Sequence, residues 1–479
     1  MAVTAADTVW EVWPTGNDLN GGGFSATFKG ATGIDRSQQA GAFITCTGNL
    51  STAAAGSVTL NCSAALFDSS VVGNLIQITA GTGFSAGFYM ITSFVSATSV
   101  TLSISATPSA VGSGGTGRIG GALATMTKPV PIAGNWIWVK DPGTGYNVSA
   151  AQNFAVVGTN VAPITYAGYT ATRGDNGIAA FNRTTGNFNL ISNTGAFKRF
   201  LNFRANAFAG AAVTKCFVTS GNATVFQNCI ADGGTVAGFE LGSGANNAIL
   251  VGCLALRCTS TAAGAFSILA SGISGVVFLG CWATQNACPG YTNLSTASRI
   301  LISRSIASKG QNTAPGIRQA GAGTSQLMVD GCVLYGNDGD GLLIDTTTAA
   351  ATGDGVVVVN SIFSENGGYD INCNGVALGD PFLDWNAFYS TGSGRYNNLP
   401  AGSHDVVLSA SPFVDAAGDF YSLIDTGAGA ACRAAGFPGV LPNGEIGYLD
   451  IGAIQHADPT SGGGGGGAGA VLSRVRTGY

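Results

Sequence analysis

The sequence predicts an all-β chain whose main part is a parallel solenoid, with a small antiparallel β domain inserted near its N-terminus. The first observation is a phrase that returns six times between Ala223 and Asn374: Val225-Phe226-Gln227-Asn228-Cys229-Ile230, then Ile249 to Leu254, Val277 to Trp282, Ile300 to Ile306, Leu327 to Val333 and Val357 to Ile362. Its anchor is always Cys or Ser (Cys229, Cys253, Cys281, Ser305, Cys332, Ser361), advancing by 24, 28, 24, 27 and 29 residues. The second is another phrase lying between these, led by Phe239, Phe266, Tyr291, Ile317, Leu342 and Tyr369, with steps of 27, 25, 26, 25 and 27. Two interleaved series of equal period predict two short strands per repeat. A period in the twenties, with β-branched residues and no helical spacing, is that of a β-solenoid. One unit cannot bury its own apolar side, so each strand must pair in parallel with the turns above and below it. The third observation is composition: 74 glycines and only 9% charged residues, as a turn-dense coil needs wherever the backbone takes positive φ.

The anchor position follows from the same geometry. One inward site recurs each turn, and under a tight corner only a small, partly apolar side chain fits; a free thiol packs as a small hydrophobe. No C-x-x-C occurs and the Cys and His residues are not clustered, so no metal site and no cofactor is expected. Eleven cysteines, several at one repeating inward position, predict packed thiols and not a disulfide framework. With 20 Lys and Arg against 25 Asp and Glu, the chain lacks the basic footprint of a nucleic-acid binder. It begins without a basic and apolar leader and has no run approaching a membrane span, so neither secretion by a signal peptide nor membrane insertion is expected. So weakly charged a surface suits a protein that works within an assembly.

In chain order, residues 1–34 read as an N-terminal cap: a strand from Thr8 to Trp13 and a glycine loop at Gly21-Gly22-Gly23. No helix pattern follows that loop, so it is not a phosphate cradle. Across 35–119 the long period is lost. Ser57 to Leu60, Leu75 to Ile78, Phe88 to Ile91 and Ser99 to Leu102 are strand-like runs between Gly and Asn turns, which predicts the inserted domain of hairpins. Coil phrasing resumes at Gly120, passes through Trp136-Ile137-Trp138-Val139-Lys140, and defines a parallel β-helix over 120–456. Residues 457–479 hold six consecutive glycines; their composition is that of a flexible segment, and they are the expected contact with other proteins of an assembly.

The framing phrases Trp10 to Phe24, Gly134 to Tyr146 and Ser411 to Gln455, with Asp450-Ile451-Gly452-Ala453 near the end, resemble those of the right-handed parallel β-helix proteins. These form the pectate-lyase-like superfamily, which includes bacteriophage tailspikes. The missing leader, the low charge and the glycine-spaced tail point to a virion protein, and in tailspikes of this class the resemblance implies a homotrimer. It is specific for fold and weak for activity, because this architecture hosts lyases, hydrolases and inert spikes alike.

The richest polar cluster is Asn337-Asp338-Gly339-Asp340-Gly341, with Asp345, Asp354, Glu365 and Asp370 on adjoining turns. A glycosidase needs two carboxylates about 5–10 Å apart, and Asp338, Asp340, Glu365 and Asp370 are the candidates. The competing reading is a solvated turn, because Asp, Asn and Gly tolerate positive φ. Polygalacturonase-like members of the superfamily carry a paired Asp-Asp, a Gly-His-Gly and an Arg-x-Lys, and this chain has none of them. Its two histidines, His404 and His456, fall in the closing region, away from the acidic cluster in sequence. Trp282, Tyr291, Tyr335 and Tyr369 are the candidate glycan-stacking residues, with interior packing as the alternative. The expected function is therefore a virion structural protein, a β-helix spike with host surface polysaccharide as a further partner. The alternatives are a capsid decoration of the same fold and a polysaccharide-degrading enzyme, either glycosidase or lyase.

Overall fold

The computed structural model describes residues 5–141, 143–207, 214–260, 263–294, 296–320, 326–346, 355–375, 381–440 and 446–455. The tail at 457–479 and His456 lie outside them. Two compact units divide the chain. One holds residues up to 146 with 152–181 and 194–203, and the other holds 147–151, 182–193 and the chain from 204 onward.

In the first unit, Val9–Val12 pairs antiparallel with Gly23–Phe24 and parallel with Trp136–Lys140, beside which run Ile164–Tyr169 and Lys198–Leu201. Alternate residues face inward, so Trp10, Ile137, Tyr166 and Phe200 form one buried column, as the period-2 geometry of strands requires. Between these strands the chain leaves to build a closed six-stranded antiparallel barrel, ordered Ile44–Ser51, Thr59–Cys62, Ser99–Leu102, Gly87–Ser96, Leu75–Thr82, Ser113–Ile119. The last strand pairs with both Ile44–Ser51 and Leu75–Thr82, which closes the ring. Irregular register at Ala80 supplies the local bend that closure needs. Leu50, Leu60, Ile76, Ile91, Val100 and Ile119 fill its core. All four strand-like runs read from the sequence between 57 and 102 lie at these strands.

The second unit is a parallel solenoid of three ladders, one more than the two strands per repeat expected. The first ladder runs Val225–Gln227, Ile249–Val251, Ser274–Leu279, Ser298–Ser303, Leu327–Asp330, Val356–Val359 and Phe382–Asp384. The second runs from Ile230–Asp232 through Leu254–Leu256, Trp282–Thr284, Ile306–Ser308, Val333–Tyr335 and Ile362–Ser364 to Ala387–Tyr389 and Val406–Val407. The third holds Lys215–Thr219, Ala237–Leu241, Phe266–Ile268, Tyr291–Asn293, Ile317–Gln319, Leu342–Thr346, Tyr369–Gly375 and Gly394–Asn397. The extra strand was hidden inside the first phrase. A left-handed residue (Asn228, Gly252, Gly280, Arg304, Gly331, Asn360 or Trp385 in successive turns) and the anchor after it make a two-residue corner, too short to interrupt the apolar phrasing.

The anchors form a column. Each passes its carbonyl to the next turn: Leu254 N to Cys229 O is 2.9 Å, Trp282 N to Cys253 O 2.8 Å, Ile306 N to Cys281 O 2.8 Å, Val333 N to Ser305 O 2.9 Å, and Ile362 N to Cys332 O 2.8 Å. All six are buried. The thiols of Cys253, Cys281 and Cys332 donate to Phe226, Leu250 and Ile302 carbonyls at 3.4, 3.3 and 3.3 Å. The hydroxyls of Ser305 and Ser361 donate to Ser303 and Val359 carbonyls, both at 2.9 Å. Opposite, Phe217, Phe239, Phe266 and Tyr291 stack face to face, with centroids 4.7 to 5.0 Å apart. The column continues through Ile317 and Leu342 to Ile371 and not to Tyr369, because Leu342 pairs with Ile371.

Beyond Val406–Val407, the described residues up to Gln455 add no rung to the three ladders. After Val406–Val407 the chain folds back across the outward side of the second ladder as a strap. Its parts are an antiparallel pair, Phe413–Asp415 with Phe420–Leu423, then a short helix, Gly427–Cys432, and a second pair, Pro438–Val440 with Ile446–Tyr448. Tyr421 packs edge-on to Trp282 at 5.9 Å and on Tyr335 at 5.5 Å, Asp419 pairs with Lys309 at 2.7 Å, and Gly452 N reaches Asn360 O at 2.6 Å. Parallel sheets are normally covered on both faces, and the strap explains why Ile306, Val333 and Ile362 are buried although they point outward.

Candidate functional site

The four candidate carboxylates come from neighbouring turns but do not meet on one open face. Asp338 is exposed and accepts Asn312 N at 3.0 Å. Asp340 accepts Tyr369 N at 2.7 Å and Asn372 Nδ2 at 2.8 Å, so both of its oxygens serve the turn above. Glu365 occupies a left-handed corner (φ 57°) after the second ladder and accepts the Tyr335 hydroxyl at 3.1 Å. Asp370 is fully buried. It ends an internal run of asparagines: Asn337 Nδ2 donates to Asn366 Oδ1 at 2.9 Å, and Asn366 Nδ2 to Asp370 Oδ1 at 3.1 Å. Burial pushes its carboxyl up to about 7, against the opposing effects of Asn366 and Arg395, and its Oδ2 has no partner. An interior carboxyl cannot reach a polymer outside the coil, which corrects the expectation for Asp370.

The aromatic candidates divide similarly. Tyr291 stands in the interior stack, its hydroxyl donating to Cys281 O at 2.8 Å. Trp282 and Tyr335 lie under the strap, each 9% exposed. Trp282 Nε1 donates to Ser308 Oγ at 3.0 Å, and Tyr335 is walled by Phe413 and Tyr421. Burial, then the charges of Glu365, Asp419 and Asp415, push the Tyr335 hydroxyl up to about 12. The expectation that these three offer ring faces to solvent is therefore corrected: the outward side of the second ladder is already occupied. Tyr369, displaced from the interior column, is half-buried.

A different constellation sits at the end of the first ladder. Asp384, nearly buried, accepts His404 Nδ1 at 2.7 Å and His404 N at 2.7 Å, with Trp385 N at 3.0 Å and Ser403 Oγ at 3.3 Å. Burial alone would raise this carboxyl, but the His404 side-chain and backbone donors outweigh it and hold it below the ordinary value. A carboxylate only accepts, so Nδ1 carries the proton and the tautomer is fixed. The imidazole lies flat on Trp385, with centroids 4.2 Å apart and planes 6° from parallel. Phe437 of the strap meets Trp385 edge-on at 4.9 Å and Phe382 at 6.3 Å. The His404 side chain is 56% exposed. Sequence reasoning missed this site because His404 was weighed only against the distant acidic cluster. The available signal was Asp384 at the outward end of a ladder strand, one short turn before Ser403-His404-Asp405.

Among the described residues, no group of three or more His, Cys, Asp or Glu is arranged to hold a metal ion.

No family model matches the chain, and no curated protein matches it significantly. Among solved structures it is similar to pectate lyase Pel9A, at 17% identity over 70% of this chain and 92% of that one, with a TM-score of 0.49. It is also similar to the ORF18 protein of Geobacillus virus E2 (9% identity, 57% of this chain and 52% of that one, TM-score 0.39). A third is an alginate lyase from Paenibacillus sp. str. FPU-7 (14% identity, 59% and 93%, TM-score 0.37). The fold assignment rests on the strand pairing described above, and these likenesses carry no inference about activity.

Proposed function

We propose that the chain is a structural β-helix of a bacteriophage virion, a tailspike-like spike or a capsid decoration, assembled as a homotrimer and touching host surface polysaccharide. The observation that carries this reading is the outer face of the first ladder. In register across successive turns, Ile249, Val277, Leu301, Met328, Val357 and Phe382 point outward, with Leu279 two residues along from Val277. Ile249, Leu279, Met328 and Phe382 are 37 to 45% exposed. A contiguous apolar row on a soluble chain marks an interaction surface, and copies related by symmetry present the same row to one another.

The test is the mass in solution. Light scattering is expected to give three chain masses for the wild type and one for Leu279→Glu with Met328→Glu, a pair that leaves the inward columns intact. A wild-type monomer overturns the assembly reading. The depolymerase alternative has less support, since its four carboxylates are spread over a turn, a corner and the interior. Release of reducing or unsaturated ends from host capsule, abolished by Asp340→Asn, would restore it.

A further inference from the structure

We propose that His404, Trp385, Phe382 and Phe437 form a subsite for one neutral pyranose ring. The inference rests on the glycan-contact part of the proposed function and shares only Phe382, at the end of the apolar row, with the assembly part. Two features carry it. The first is a preset polar contact: Asp384 fixes the Nδ1 proton of His404, Trp385 clamps the ring, and Nε2 has no partner among the described residues. The second is a partly open aromatic rim around it. Phe382 and Phe437 are 45% and 42% exposed, and Trp385 is only half-buried.

Trp385 holds this place with φ 53°, a left-handed backbone that is strained for a bulky residue. Asn or Gly fills the same corner in most other turns, so a tryptophan there is not demanded by the coil. With the His404 ring neutral and Nε2 bare, the Asp384 carboxylate leaves one negative charge at the site, which disfavours an acidic ligand. Small-molecule sites combine apolar walls with a few placed polar groups. A pyranose matches both features, because its C–H face is apolar and its hydroxyls stand at the edge, where Nε2 can accept a hydrogen bond.

The chain has two histidines, so the imidazole nitrogens are resolvable by NMR. The experiment titrates the ¹⁵N-histidine-labelled full chain with the methyl glycosides of glucose, galactose and mannose. The expected result is a saturable shift of His404 Nε2, without a matching shift of His456, for at least one of the three. Phe437→Ala and Phe382→Ser, checked for wild-type circular dichroism, are expected to weaken it about ten-fold. Absence of a saturable shift with all three sugars overturns the proposal, as does a shift of undiminished affinity in both variants. A monomer that still shows the shift defeats only the assembly reading.

Discussion

Burial keeps the Asp370 carboxyl protonated to about pH 7, well above its value in an unfolded chain, and this sets a direction for stability. Between the unfolded value near 4 and the folded value near 7 the native state binds more protons than the unfolded state. Stability therefore falls as pH rises through that window, by on the order of 4 kcal/mol at most. Asp370→Asn keeps the bond from Asn366 and cannot ionise. Its melting temperature is expected to vary less than that of the wild type between pH 4 and 7, and to exceed it at pH 8; parallel curves would show that Asp370 does not govern this slope. The anchor column makes a second residue-scale prediction. Ser305 and Ser361 already fill the site in two turns, so Cys281→Ser should cost about 1 kcal/mol. Cys281→Leu should cost about 1–3 kcal/mol by overpacking the corner; denaturant unfolding measures both. Low thiol reactivity is expected as well, because all eleven cysteines are buried, and burial pushes Cys332, for one, up to about 12.

At the scale of elements, the strap is the least repetitive part of the second unit and the part the sequence described least well. Tyr421 is buried between Trp282, Tyr335 and Phe413, with its hydroxyl 3.2 Å from Asp419. Tyr421→Ala should cost about 3–5 kcal/mol, as for other large aromatic truncations, and should raise the exposure of Trp282, read as a red shift in fluorescence. A cost below 1 kcal/mol would mean that the strap is only loosely seated. The ladders were legible because an inward site repeated every turn imposes one chemistry on one column, as in Cys229 to Ser361. The third strand per turn was not, because Asn228-Cys229 and its successors turn the chain without a proline or a run of glycines. The strap was illegible for a related reason. Ser411 to Gln455 carries apolar phrases like those of the coil, yet their partners are outward residues of turns some 50 to 140 positions earlier, and no periodicity encodes that pairing. Asp384 with His404 failed likewise: two residues 20 apart meet only because one short turn brings the chain back.

For the whole molecule, the apolar row from Ile249 to Phe382 and the strap state the same rule on two faces of the coil that share a corner. A parallel sheet built from β-branched and aromatic residues leaves an outward face that needs a cover. On the second ladder the chain supplies that cover itself. On the first the row stays exposed, and the proposed assembly would cover it, which is why the oligomeric mass tests the proposed function more sharply than an activity assay does. The strap also fixes an order of events during synthesis. Turns can stack one by one as they leave the ribosome, yet Ile306, Val333 and Ile362 stay bare until Tyr421 and Gly452 emerge and reach their ladder. A chain cut short after the last rung would carry a sticky flank into the crowded cell, so the strap works as a seal applied late.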